Sequence, residues 1–566
     1  MIRYSILLIL FIAFKFYPQV VAYPDSVVFP QMLTGISDSI SISILNPTDE
    51  SIEFKMQNLK PVYNLSDTLF FIGPNNSNMV WIKYSPNQNV IDNDLLLITG
   101  SDSTIGKVLA LKGSAIYGDG YDASTFNLYD VQLKNALTQL VSGHTSLGYN
   151  LARDKMFMEI DNRRVNGQGA SVNTLECVYT GRLAVGYTSR TDAQNNYTFN
   201  TEHTWPQSNF NENEPMRSDL YHLFPTDVNA NAIRSNYPFG NAVSGVTWDS
   251  AGSKLGRNYL NQIVFEPRNV HKGDVSRSMF YFLIRYPQNY GGFFTQVQEN
   301  DFRQWNVLDP VGPVEAARNN AIASLQLRRN PFIDHPGFAD RIYNFATNNP
   351  RPVFAELDAL PLKINFDSTA ISDSSFQYLY VISKGSAHLI IDSITISDNR
   401  FTTDNFNSSV EPYSYQKLPI KFNPDLITDY TATLTVFSSG GQKQVVLTGI
   451  GKDNAVGVDE EFFTPIAFSL EQNHPNPFNP STKISWQSPV GSHQTIKVID
   501  VLGNEIATLV DEYKPAGRYE VEFQSSVGSR QLASGVYFYQ LLVSGLRSKD
   551  GKAGEYSAVK KMILLR

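Results

Sequence analysis

Residues 200–239 read NTEHTWPQSNFNENEPMRSDLYHLFPTDVNANAIRSNYPF, and the rest of the chain is read outward from here. Glu202 and His203 stand side by side, a Trp205-Pro206 turn follows, and an Asp/His/Asn-rich segment comes close behind. An imidazole can take a proton from water near neutral pH. A carboxylate and an amide oxygen are hard ligands that suit Mg²⁺, which keeps most of its own waters and bridges to substrate phosphate. Those parts would serve hydrolysis of a phosphodiester. A lone Glu-His pair is also common, and Trp-Pro before polar residues turns many loops, so residue type alone leaves both readings open.

The blocks EHTWPQS, SDLYHLFPT and NAIRSNYPFG, in that order, resemble the core signature of the endonuclease I family of bacterial periplasmic and secreted nucleases. The likeness continues through MFMEIDNRR…TLECVYTGR (Met156–Arg182), FEPRNVHKGDVSRSMFYFLIRY (Phe265–Tyr286) and RRNPFIDHP (Arg328–Pro336), and so covers most of 119–350. The resemblance implies a ββα-metal fold, in which a two-stranded ribbon presents a base and a helix presents metal ligands. On the matching positions His203 is then the general base, with Glu202 and Asn231 as the protein ligands of Mg²⁺ or another divalent cation. Such an enzyme leaves a 5′-phosphate and a 3′-hydroxyl. One geometric condition attaches to the assignment. Neighbours on a regular strand face opposite sides, so Glu202 and His203 serve one ion only if the strand ends or twists there.

Other polar residues of the stretch carry less. Asp219 and His222 lie three apart, on one face of any helix there, and are expected to hold the metal-bearing segment in place. Tyr221 stands where the family has the first histidine of its motif, so no role is given to that position. Arg234 is either a phosphate contact or a solvated helix arginine. The family's phosphate-stabilising arginine lies in a variable loop between the two motif blocks, where Arg217 is the candidate. The segment that ends in RRNPFIDHP departs from the family pattern at Leu327 and Arg328, and His335 within it is expected to be structural. His144, His271, His388, His474 and His493 show no partner spacing and are expected at the surface. No Cys/His set has the spacing of a zinc site. The lone Cys177 cannot form an internal disulfide and is expected to be a small packed residue.

At 566 residues the chain is too long for one ordinary domain. Its 42% hydrophobic and 18% charged content is globular, and its 12% aromatic share with many Thr, Ser and Asn points to much β-structure. A net charge of −8 argues against a protein that coats nucleic acid electrostatically. It does not exclude a nuclease, since local arginines and a cation can supply the field at one phosphate.

Arg3, the apolar run Ser5–Phe14 and the small residues Val20-Val21-Ala22 give residues 1–22 the pattern of a secretory signal peptide. Lys15 interrupts the apolar run before it reaches the about 20 residues a stable membrane span needs. Residues 23–117 read as short strands, with alternation at Ser39–Leu45, Val80–Tyr84 and Leu95–Thr99. Residues 361–452 repeat the plan, MVWIKYSPN (79–87) answering QKLPIKFNP (416–424) and VLALKGSAI (108–116) answering VVLTGIGK (445–452). Both copies resemble the immunoglobulin-like β-sandwiches of secreted bacterial proteins, with a spacer role or a cell-surface ligand. Between them, 119–355 turns helical in part, at Thr125–Gly143 and in GDVSRSMFYFLIRY, where Asp274 is placed as N-cap and Val275, Met279, Phe282 and Leu283 share a side.

After an acidic linker at 453–465 come FSLEQNHPNPFNPSTKISW, IKVIDVLGNEIATLV, LASGVYFYQL and a terminal VKKMILLR. The turn Asp500-Val501-Leu502-Gly503 suits a hairpin. Residues 466–566 resemble the C-terminal sorting domain of the type IX secretion system. By that resemblance the type IX machinery carries the protein across the outer membrane, for release or surface attachment.

The fold expected is thus multidomain. An α+β ββα-metal nuclease domain is flanked by all-β immunoglobulin-like sandwiches and followed by a β-sandwich sorting domain. The expected function is a secreted Mg²⁺-dependent endonuclease acting on DNA and RNA with little sequence preference, since no base-reading motif is present. The alternative is a catalytically inactive surface adhesin or binding protein built on a nuclease fold. The intact Glu202/His203/Asn231 set is the feature that separates the two.

Overall fold

The computed structural model describes residues 21–101, 103–118, 120–287, 292–404, 406–453, 468–527, 530–547 and 553–565. Most of the expected signal peptide and of the linker therefore lies outside the described residues. The chain forms two compact units. One takes the segment up to Pro86, Ile91–Ser114 and everything from Val353 onward; the other takes Asn87–Val90 and Ala115–Pro352.

The first unit is all β. Its N-terminal part has a four-stranded sheet ordered Val21–Tyr23, Asp38–Asn46, Asn76–Tyr84, Tyr63–Leu65. Facing it is a five-stranded sheet ordered Ser26–Leu33, Gly106–Ile116, Ile91–Gly100, Ile52–Asn58, Leu69–Ile72. Beyond Val353 the same plan returns. Leu357–Leu360, Ser375–Ser383, Ser414–Phe422 and Phe401–Thr403 make the four-stranded sheet, with Lys363–Ala370, Gly441–Lys452, Asp429–Ser438, Leu389–Ile396 and Ser409–Val410 opposite. The sequence repeat is thus a strand-for-strand repeat. Each copy has its own core, from Phe54, Ile82 and Leu109 in one to Phe366, Leu418 and Leu447 in the other.

One expected alternation fails. Leu95 to Ile98 are buried on both strand faces, because Leu95 and Leu97 also pack with Val108, Leu360, Tyr380 and Ile382 in a small core joining the two copies. Strands covered on both sides lose the alternating signature.

The C-terminal strands form a three-stranded and a four-stranded sheet, with a small two-stranded one beside them, and a core that includes Phe478, Ile484, Trp486, Val498 and Leu541. Ser492–Ile499 and Glu505–Lys514 pair as the expected hairpin. Gly503, at φ 86°, closes its turn by donating to the Asp500 carbonyl at 3.1 Å.

The second unit is mixed. Helix α1 (Asp130–Val141) starts later than the periodicity suggests. An antiparallel ribbon follows, β1 (Phe199–His203) with β2 (Leu223–Asp227), and β2 runs straight into helix α2 (Val228–Arg234). Asp227 ends the strand and caps the helix, its carboxylate accepting from the Ala230 N–H at 2.7 Å.

Helix α3 (Lys272–Arg285) runs through the core, every side chain from Val275 to Ile284 buried. Its N-cap is His271, not Asp274, which lies one turn in and accepts from His271 Nδ1 at 2.9 Å. That contact also corrects the placement of His271. It is buried against Phe224 and Tyr179, while His144 is buried where Arg285 Nε donates to its Nδ1 at 3.0 Å. His388, His474 and His493 are exposed as expected. His335 stacks on Tyr117 at 3.5 Å and pairs with Asp122, a structural placement. Cys177 is packed in the same core under β2, where the Asp227 N–H points at its sulfur. Among the described residues no helix is long and apolar enough to cross a membrane.

Candidate active site

The ribbon delivers Glu202 and His203 to its end. Glu202 faces Phe224 across the ladder and His203 faces Leu223, the last pair of β1. The strand stops there, yet both residues are still within its ladder, so the ending alone does not turn their side chains to one side. The stop is fixed from below: Trp205 stacks on Phe282 of α3 at 4.7 Å, and the Thr204 hydroxyl meets that of Ser278 at 2.7 Å.

Alternation sends the two side chains to different neighbours. Glu202 turns toward α2. Arg234 Nε sits 3.1 Å from its Oε1, and the Tyr179 hydroxyl lies beside the same carboxylate. Arg234 also donates from Nη2 to the Thr204 carbonyl at 2.6 Å and from Nη1 to the Ser235 carbonyl at 2.8 Å. Its guanidinium lies 4.5 Å over the Phe239 ring. With 1% of its side chain exposed, Arg234 is not a solvated helix arginine; it is a clamp between the strand end and α2. Burial nonetheless holds the Glu202 carboxyl above its usual pKa, against the opposing pull of Arg234.

Asn231 stands one turn before Arg234 on α2. Residues three apart share a helix face, so Asn231 is carried on the side of α2 that meets Glu202. It is half-buried, and its side-chain amide enters no hydrogen bond among the described residues.

His203 turns the other way. Its Nε2 lies 3.3 Å from the Arg217 carbonyl, a contact in which the ring N–H donates and Nδ1 keeps its lone pair. The ring sits 5.3 Å from that of His222 and 5.6 Å from that of Tyr149, centre to centre. Burial, then the neighbouring His222, lowers the pKa of His203 well below the usual imidazole value. It is a neutral imidazole at pH 7.

Arg217 joins this face, its guanidinium 4.4 Å over the Tyr149 ring and Nη2 2.8 Å from Glu212. Asp219 and His222 make their bonds to protein. Asp219 accepts from the hydroxyls of Tyr281 at 3.0 Å and Tyr286 at 2.8 Å, and His222 Nε2 donates to the Met216 carbonyl at 2.6 Å. Tyr221 is a buried strut whose hydroxyl reaches Asn319 Oδ1 at 2.9 Å and the Arg328 carbonyl at 2.8 Å. Three contributors escaped the sequence reading. Tyr179 and Phe239 stand inside quoted motif blocks and could have been singled out there, whereas Tyr149 belongs to none.

Comparison with known proteins sets the class. An extracellular ribonuclease of Bacillus amyloliquefaciens is 32% identical over 232 residues, 37% of this chain and 73% of that protein. An extracellular ribonuclease of Bacillus subtilis is 29% identical over 271 residues, 44% of this chain and 87% of that one. An extracellular deoxyribonuclease of Aeromonas hydrophila is 27% identical over 124 residues, 21% and 50% of the two chains. The class is that of extracellular nucleases. More narrowly, the Endonuclease I pattern matches residues 130–337, and the chain belongs to that family. The pattern of a secretion system C-terminal sorting domain matches 473–550, and the protein is secreted or attached at the cell surface.

Proposed function

We propose that this protein is a secreted, divalent-metal-dependent endonuclease that hydrolyses phosphodiester bonds of DNA and RNA with little sequence preference, leaving 5′-phosphate ends. The observation that carries the reading is the end of β1. There a neutral, buried His203 with its Nδ1 free sits beside a Glu202 held rigidly against α2. His203 takes the proton of the attacking water at Nδ1, while its Nε2–H, fixed on the Arg217 carbonyl, keeps the ring oriented.

The donor set fits a hard cation. Glu202 Oε1 is buried beside Arg234 Nε without an aligned hydrogen bond to it, its carboxyl pKa stays raised despite Arg234, and the Asn231 amide stands on the adjoining helix face. Glu202 and Asn231 would hold Mg²⁺ or another divalent ion, which supplies positive charge at the scissile phosphate. Arg217 contacts that phosphate from the His203 side. Arg234 is a positioning residue, and Asp219 and His222 fix the segment before β2.

Around this site we read 119–355 as a ββα-metal nuclease domain, 23–117 and 361–452 as immunoglobulin-like accessory sandwiches, and 466–566 as the type IX sorting domain. Residues 1–22 we read as the signal peptide.

Two tests arise here. Nicks made in plasmid DNA should be resealed by DNA ligase without prior kinase treatment, because the ends are 5′-phosphate and 3′-hydroxyl; ends that ligase refuses would overturn the proposed cleavage polarity. The second concerns pH. The base works only when neutral, and its folded pKa is lowered, so activity persists as pH falls past about 6.5, the ordinary imidazole value. It is lost only on falling through the lowered pKa. The acid limb of kcat/KM, which reports the free enzyme, should therefore lie well below pH 6.5. An acid limb at or above that value would contradict the buried base.

A further inference from the structure

Tyr149 sits against two arginines. The guanidinium carbons of Arg153 and Arg217 lie 4.1 and 4.4 Å from its ring centre. Both guanidiniums thus lie within cation–π range of the one ring. The third neighbour is His203, whose ring is 5.6 Å away. The result is a cluster of Arg153, Tyr149 and Arg217 beside the candidate base.

The two cations are only partly committed. Arg153 donates from Nη2 to Asn150 at 2.9 Å and Arg217 from Nη2 to Glu212 at 2.8 Å, while Nε of each is buried without a hydrogen-bond partner. Arg190 stands near as well, but Asp154 takes its Nε at 2.6 Å and Gln194 its Nη1 at 3.2 Å. Burial and the like charges of Arg190 and Arg217 lower the pKa of Arg153, against the pull of Tyr149 and Asp154. Like charges gathered this closely are relieved by an anion. The Tyr149 ring is already occupied by two guanidiniums, and what the group offers a ligand is guanidinium, which recognises phosphate.

We infer that Arg153 and Tyr149 form, with Arg217, a phosphate-binding track that engages the nucleic-acid backbone beside the scissile phosphate. The inference rests on the nuclease reading above and extends it to a binding subsite for a flanking phosphate. Because such contacts read no bases, the track adds affinity without sequence preference.

The test is the salt dependence of binding by the full chain carrying His203→Ala, with Mg²⁺, using a fluorescein-labelled DNA duplex and fluorescence anisotropy. Each phosphate contact contributes about 0.9 to the slope of log affinity against log salt for duplex DNA. Arg153→Gln should lower that slope by about 0.9. Arg153→Lys should restore it, since the charge returns. Tyr149→Leu, which removes the support of both arginines, should weaken binding further. In the active chain, Arg153→Gln should raise KM and leave kcat near its starting value.

An unchanged slope in folded Arg153→Gln overturns the track, as does a fall in kcat with KM unmoved, which marks a purely structural role. A chain that never cleaves yet shows the reduced slope keeps the track and loses the nuclease reading. A chain that cleaves and shows no change in slope does the reverse.

Discussion

Arg234→Met is expected to destabilise the nuclease unit by about 3–5 kcal/mol, the cost typical of breaking a buried ion pair from one side. The pair Arg234–Glu202 has 1% and 3% of its side chains exposed, and the same guanidinium closes two backbone carbonyls, those of Thr204 and Ser235. Methionine keeps much of the volume and the contact with Phe239, so the loss is electrostatic and hydrogen-bonding, not a cavity. It leaves Glu202 charged, buried and unpaired, and raises further a carboxyl pKa that burial already raises. Adding Glu202→Gln should therefore recover part of the loss, the remainder being the two unanswered carbonyls. Urea unfolding of the two variants measures both effects. A double variant no more stable than the single one would show that the uncompensated carboxylate is not the source.

His203→Ala is expected to lower kcat by about 10²–10⁴, the usual contribution of a positioned general base. The change should be chemical and not structural. His203 is neutral at pH 7, and its hydrogen bond to the Arg217 carbonyl is long at 3.3 Å. Circular dichroism and the unfolding midpoint should stay close to those of the parent. A small base that enters the vacated space, such as free imidazole, should restore part of the rate. Loss of fold together with activity would point instead to a packing role between Tyr149 and His222.

Much of this site was legible in the sequence, for local reasons. Glu202 and His203 are neighbours, the turn that ends their strand is written in the next two residues, and Asn231 sits in a motif block whose spacing from them is short. The strand-for-strand repeat was legible too, because alternating strands and their turns leave marks over a few residues. What was hidden depends on contacts between distant segments. Tyr149 comes from a short helix far upstream and bears no motif. The sequence left Arg234 open between a phosphate contact and a solvated arginine, because a seven-residue helix is too short for periodicity to show which face is covered. Leu95 and Leu97 are buried on their second face only because another copy of the sandwich covers them. His271 is drawn inward by Asp274 one turn along α3, a pairing that its spacing allowed but did not announce.

The most direct measurement is cleavage of supercoiled plasmid by the purified protein, with Mg²⁺ and with EDTA, beside His203→Ala at equal concentration. Nicking that needs the cation, stops with EDTA, resumes when Mg²⁺ is restored and all but vanishes in the variant is the predicted result. No cleavage by well-folded protein with any divalent ion, or equal cleavage by His203→Ala, would contradict the account; in the first case the chain is a binding protein built on a nuclease fold.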